Sequence, residues 1–272
     1  MSLLWLRVAV VLYGVAALAV LPAALYGRPR WRHLAVPIAL LGAFFHFVSI
    51  AETFYAAHRA LPVDTHETLS LLGLLLAAAF LILATRYKTV AFGIFLLPVI
   101  VLLTLAPAFH PGRETVAYPL VGPVWIFLHV ALLLAAYAAL LISLLASVLY
   151  FVQERSLKSK ASSNQSKLRL PPLEVIDQIA LKALLFGLPC MTAGLLIGSV
   201  LALETTGPAF FADPKVLLSI AMWFAYMLMI FIRQQSGLRG RRAAYLSSLA
   251  FIFVLAVWAA NQLSAVHRFA AP

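Results

Sequence analysis

Seven histidines stand out in this chain because nearly everything around them is apolar. His129 lies in GPVWIFLHVALLLAAYAAL, near the start of a long apolar run. Trp125 precedes it by four residues and Tyr137 follows by eight. In a helix Trp125 therefore shares its face and Tyr137 lies close to that face. An imidazole so placed has two readings. One is a core histidine hydrogen-bonded to a neighbouring helix. The other is an axial ligand, its neutral nitrogen on haem iron and an aromatic ring beside the porphyrin. His267, near the C-terminus, reads as a solvated terminal residue or as the second imidazole of a bis-histidine site. His46, in LLGAFFHFVSIAETFYAAH with Glu52 six residues on, reads as a helix–helix hydrogen bond or as a second haem contact. His33, His58, His66 and His110 fall in predicted turns and loops and read as solvated.

Little other chemistry is on offer. Cys190 is the single cysteine, so no intrachain disulfide and no CxxC pair can form. There is no Walker loop, no zincin motif and no recognisable catalytic triad.

The elements that must position these histidines are membrane spans. Of the 272 residues, 64% are hydrophobic and 11% charged, against about 25% charged in a soluble domain. Lipid must be the main solvent of such a chain. Runs of about 20 apolar residues mark spanning helices, and eight are expected, near 8–26, 34–57, 66–85, 90–107, 124–151, 178–203, 214–232 and 242–263. Barrel strands would alternate in polarity, whereas these runs are continuously apolar. The first run has no polar region after it and reads as a span rather than a signal peptide. Gly187, Gly194 and Gly198 in GLPCMTAGLLIGS are positions for close helix approach.

Charge sets the expected orientation. The turns 1–2, 3–4, 5–6 and 7–8 carry Arg28, Arg30, Arg32, Arg86, Lys88, Arg155, Lys158, Lys160, Lys167, Arg169, Arg233, Arg239, Arg241 and Arg242, fourteen of the 20 basic residues. Arg7, Arg59, Arg113, Lys215 and Arg268 fall on the opposite side. Cytoplasmic segments hold the excess of Lys and Arg, so both termini are expected outside. The net charge of +11 is thus a topology signal, and its short blocks lack the interleaved aromatics of a nucleic-acid surface. Residues 154–172, ERSLKSKASSNQSKLRLPP, read as a cytoplasmic loop. The spans hold few ionisable residues and no broken-helix pair, which leaves a small-solute transporter unsupported.

With those residues in order, the chain resembles the cytochrome c assembly protein family of the CcsA/CcmC type, in its YpjD/HemX-like branch. The likeness runs through His46 and THETLSLLGLLLAAAFLILATRY, through HVALLLAAYAALLISLLASVLYFVQE, through PPLEVIDQIALKALLFGLPCMTAGLLIGSVLA, and through WFAYMLMIFIRQQSGLRGRRAAYLSSLAFIFVLAVWAANQ. It implies an external histidine pair, carried over to His129 and His267, and an external tryptophan-rich loop that together hold haem for delivery to apocytochrome c. Here the matching loop is LETTGPAFFADPKVLLS. It has Asp213 at the family's Trp-Asp position but no tryptophan, leaving Phe210 and Phe211 as the aromatic faces. Phe231 stands where some members carry a transmembrane histidine.

The expectation is therefore an all-α integral membrane bundle of about eight helices, N-out and C-out. It is read as one assembly-type domain over 1–272, with spans 1–5 in 1–153, the loop 154–172 and spans 6–8 in 173–272. Its expected role is haem handling in the bacterial inner membrane, with haem b held at the outer face by His129 and His267. His46, Trp125 and Asp213 are further candidate contacts. It is read as an assembly factor rather than a turnover enzyme, with the lipid bilayer, a membrane partner subunit or apocytochrome as partners and no nucleic acid. The alternative is a non-haem membrane adaptor or regulator that keeps the fold without the tryptophan-rich loop.

Overall fold

A computed structural model describes residues 2–26, 29–56, 58, 62, 65–109, 123–158, 170–235, 245 and 256. Every regular element among them is helical: α1 (Ser2–Tyr26), α2 (Pro29–Ala56), α3 (Thr65–Arg86), α4 (Gly93–Phe109), α5 (Pro123–Lys158), α6 (Leu173–Thr206), a 3-10 turn (Gly207–Ala212) and α7 (Pro214–Gln235). A helix satisfies its own backbone donors and acceptors, which is why apolar runs adopt it in lipid. Six of these helices are long and apolar enough to cross a membrane, and α4 is a shorter apolar helix. The chain is accordingly a multi-pass membrane protein. The expected eighth span, 242–263, lies outside the described residues except for Tyr245 and Ala256.

Helix ends depart from the apolar runs. α5 continues to Lys158, into the stretch read as loop, and its last turn carries a Glu154–Lys158 pair at 2.5 Å. Glu followed by Lys four residues later is the favourable order on a helix. At 36 and 34 residues, α5 and α6 are about 54 and 51 Å long. A hydrocarbon core is only about 30 Å thick. Their charged ends, around Glu154 and Glu174, therefore continue beyond it.

The chain falls into two compact units. In the first, α1 packs on α2 and α4, and α3 packs on α4 and α2. The buried positions follow a three-and-four spacing: Leu6, Ala9, Tyr13, Ala16 and Val20 on α1; Ala35, Ala39, Gly42, His46 and Ser49 on α2. Small residues dominate the α2 stripe and alternate with larger ones on α1, so the backbones can approach closely. Trp5 stacks on Phe45 at 5.5 Å. Arg7 donates from Nε to the Ala108 carbonyl at 3.1 Å and lies over the Phe109 ring. The start of α1 and the end of α4 thus lie at the same end of this unit.

The second unit contains α5 as far as Phe151, α6, the 3-10 turn and α7. Its core is Ala136 and Leu140 of α5, Leu184 and Met191 of α6, and Met222, Tyr226, Met229 and Ile230 of α7. Gly187 of α6 receives the Tyr226 hydroxyl so closely that a Cβ there would overlap it. Trp223 Nε1 donates to Thr192 Oγ1 at 2.8 Å. At the far end, Arg233 Nη2 donates to Asp177 Oδ1 at 2.8 Å and to the Asp177 carbonyl at 3.2 Å. That pair fixes the end of α7 to the start of α6.

Candidate functional site

The two spanning histidines occupy different environments, and their partners define the difference. His46 is fully buried in the first unit. Its Nδ1 lies 3.3 Å from the Tyr13 hydroxyl of α1, and its Nε2 lies 2.9 Å from Ser70 Oγ of α3. A hydroxyl can donate or accept, so either tautomer of His46 satisfies both nitrogens. Gly73 of α3 also faces the ring, beside Thr104 of α4. His46 therefore ties three helices together and has no ring nitrogen left over.

His129 is in the second unit, on α5, with its ring against α6. Its Nδ1 donates to the Gly194 carbonyl at 2.7 Å. A carbonyl only accepts, so this bond requires the proton on Nδ1. In the neutral ring the lone pair is then on Nε2, for which the described residues provide no hydrogen-bond partner. The imidazole sits directly over Gly198, where a Cβ would overlap the ring. Gly194 and Gly198 are four residues apart and share a face of α6, as His129 and Leu133 share a face of α5. Leu133 fills the groove at Gly194 as His129 fills it at Gly198.

The other candidate residues distribute unevenly. Trp125 is 55% exposed, one turn before His129 on an outward surface of α5. Asp213 is buried at the start of α7, where its Oδ1 accepts the Lys215 backbone N–H at 2.9 Å. Its own carbonyl accepts from the Leu217 N–H at 3.1 Å. With Pro214 next in line, this is an N-cap followed by a proline at the first helical position. The Asp213 turn directly follows α6 and the 3-10 turn, at the C-terminal end of α6. Phe211, on the preceding 3-10 turn, is exposed. His267 lies outside the described residues.

These groups suit haem iron at one point. His129 has the donor chemistry of an axial ligand: one ring nitrogen held by a backbone carbonyl and the other carrying an unshared pair. Among the described residues no set of three His, Cys, Asp or Glu side chains is grouped to hold a metal ion. Haem asks less of the protein than such a cluster, because the porphyrin supplies four of the six nitrogens and the protein only the axial ones. Sequence reasoning singled out His129 and the α6 glycines but missed that the imidazole seats on Gly194 and Gly198. It also missed Tyr13 and Ser70, whose only signal is a polar residue on an otherwise apolar helical stripe.

The fold and these positions define a polytopic membrane protein with an imidazole held at a helix–helix seam. The cytochrome C assembly protein family matches residues 38–258, and the chain belongs to that family. A cytochrome c biogenesis protein CcsA of Guillardia theta is 29% identical over 215 residues, covering 70% of this chain and 69% of the relative. The CcsA protein of Prochlorococcus marinus (strain MIT 9215) is 30% identical over 187 residues, covering 61% of this chain and 57% of the relative. An uncharacterized 28.8 kDa protein of Azospirillum brasilense is 34% identical over 131 residues, 48% of each chain. No solved structure matches the chain.

Proposed function

We propose that this protein handles haem b at the outer face of a bacterial plasma membrane as a cytochrome c assembly factor, with His129 and His267 as the two axial imidazoles. The observation that carries this reading is the His129 Nδ1–H bond to Gly194, which leaves Nε2 as the ligating atom. The proposed topology is eight helices with both termini outside. It puts His129, His267 and the 204–214 turn on one face. Bound haem would supply the redox-active iron that the assembly reaction delivers. The protein's part is to hold that iron from two sides, to offer Trp125 and Phe211 as aromatic surface, and to keep the turn beside them in place through Asp213. His46 has the hydrogen bonds of a structural crossing and is assigned that role. Apocytochrome or a membrane partner subunit would receive the haem, and the protein acts as a handling factor rather than a turnover enzyme.

A second reading has its own support. The 204–214 turn has no tryptophan, which favours an adaptor or regulator without haem. The two readings separate on one preparation of the purified protein in detergent. Haem handling predicts a bis-histidine Soret spectrum at near-stoichiometric haem, and its loss in the His129→Ala, His267→Ala double variant. Colourless protein that also fails to take up added haem removes the first reading and leaves the adaptor.

A further inference from the structure

We infer that Gly198 and the Gly194 carbonyl are the positioning elements of His129: together they seat its imidazole in α6 and fix the tautomer that presents Nε2. This inference rests on the haem-handling reading and adds to it the residues that would make one particular nitrogen the ligand.

Three observations converge on it. The Gly194 carbonyl is an acceptor without a proton, so only the Nδ1–H form of His129 makes the 2.7 Å bond. In a helix that carbonyl also faces the N–H four residues on, which belongs to Gly198. Tautomer and ring position are therefore set by the same helical turn. The Cε1 and Nδ1 atoms of the ring lie so close to where a Gly198 Cβ would stand that a side chain there leaves the ring no room in this position. A methyl group at that point would push the imidazole away from α6 and lengthen the bond to Gly194. The free ring would then interconvert between its two neutral tautomers and lose its fixed direction.

His46 shows that such fixing is not a general property of the spanning histidines here. Its partners are hydroxyls on both sides, which accept either tautomer. Among the described residues His129 is bonded on one side only, by a group that leaves no choice. A hydrogen-bonded second nitrogen is what orients an imidazole ligand and raises its basicity, and its removal commonly weakens a metal site about 10- to 100-fold.

The test uses full-length protein in detergent. Histidine-selective nitrogen NMR of haem-free wild type is expected to show one histidine with a protonated Nδ1 and a pyridine-like Nε2, its signal absent from His129→Ala. An Nε2–H tautomer for that residue, or rapid exchange between the two, overturns the inference without touching the assignment of haem to His129. Gly198→Ala is expected to weaken haem binding about 10- to 100-fold and to lose the bis-histidine spectrum, with added free imidazole restoring a low-spin spectrum. Its helical circular dichroism and monodispersity are expected to match wild type. Gly198→Ala with wild-type affinity and spectrum overturns the inference. If that variant does not fold, the wild-type tautomer still decides. If His129→Ala keeps full haem and an unchanged spectrum, the haem-handling reading fails, whatever the tautomer.

Discussion

His46 is a histidine at membrane depth, and its surroundings give it a structural task. Both ring nitrogens are hydrogen-bonded to hydroxyls of other helices, and no part of the residue reaches the surface. Removing the ring leaves the Tyr13 and Ser70 hydroxyls without that partner in a buried interior, together with a cavity. Each buried polar group left unpaired costs about 1–3 kcal/mol. His46→Ala is therefore expected to destabilise the first unit by on the order of 3 kcal/mol, read as a clear fall in the thermal midpoint in detergent. Haem content per folded protein is expected to be unchanged. Loss of haem at an unchanged midpoint would instead make His46 a ligand. The residue type and the two readings of its role were visible in the sequence, but its partners were not. Tyr13 lies 33 and Ser70 24 positions away, and only the facing of three helices joins them.

At the scale of the element, Asp213 shows how one residue carries two meanings. The resemblance puts it among the expected haem contacts, and in this fold it caps α7. Its carboxylate takes the Lys215 N–H, one of the first-turn donors that no intrahelical carbonyl reaches. Loss of a capping side chain costs about 1 kcal/mol. Asp213→Ala is expected to lower stability by about that amount, and Asp213→Asn, which still accepts a hydrogen bond, by much less. Equal losses for the two variants would show that the charge, rather than the cap, matters. The helices themselves were largely readable from apolar runs: six of the expected spans fall on helices long and apolar enough to cross a membrane, and a seventh on the shorter α4. Their ends were not. Hydropathy detects the part of a helix that lies in lipid. α5 and α6 continue past that part, where Glu154 and Lys158 keep the helical spacing after the apolar residues stop.

For the whole molecule the main expectation is orientation. Fourteen of the 20 basic residues fall in alternate turns, and the positive-inside bias is the ground for expecting those turns in the cytoplasm. A fluorescent-protein reporter fused after residue 160 is expected to fluoresce, and an alkaline phosphatase fused there to be inactive. Active phosphatase at that point would invert the topology and move the His129 end of α5 to the cytoplasmic side. In unit one the ends that meet are consistent with hairpin-like tracing of α1 to α4: the Arg7 bond to the Ala108 carbonyl joins the first and last helices at one end.

Composition alone determined the solvent of this protein, because 64% hydrophobic residues cannot be covered by 11% charged ones. Continuous apolar runs then determined helices, since no other open structure satisfies its backbone in lipid. The glycines of α6 were marked for close approach by type. What approaches them was decided by tertiary structure: Tyr226 at Gly187, Leu133 at Gly194 and His129 at Gly198. The same holds for the two spanning histidines. In sequence both are an imidazole in an apolar run with the same pair of readings. Among the described residues, the fold gave one of them hydroxyls on both nitrogens and the other a carbonyl 65 residues away on Nδ1. Hydrogen-bond partners across helices depend on which faces meet and at what register, and a single run of residues does not contain that information.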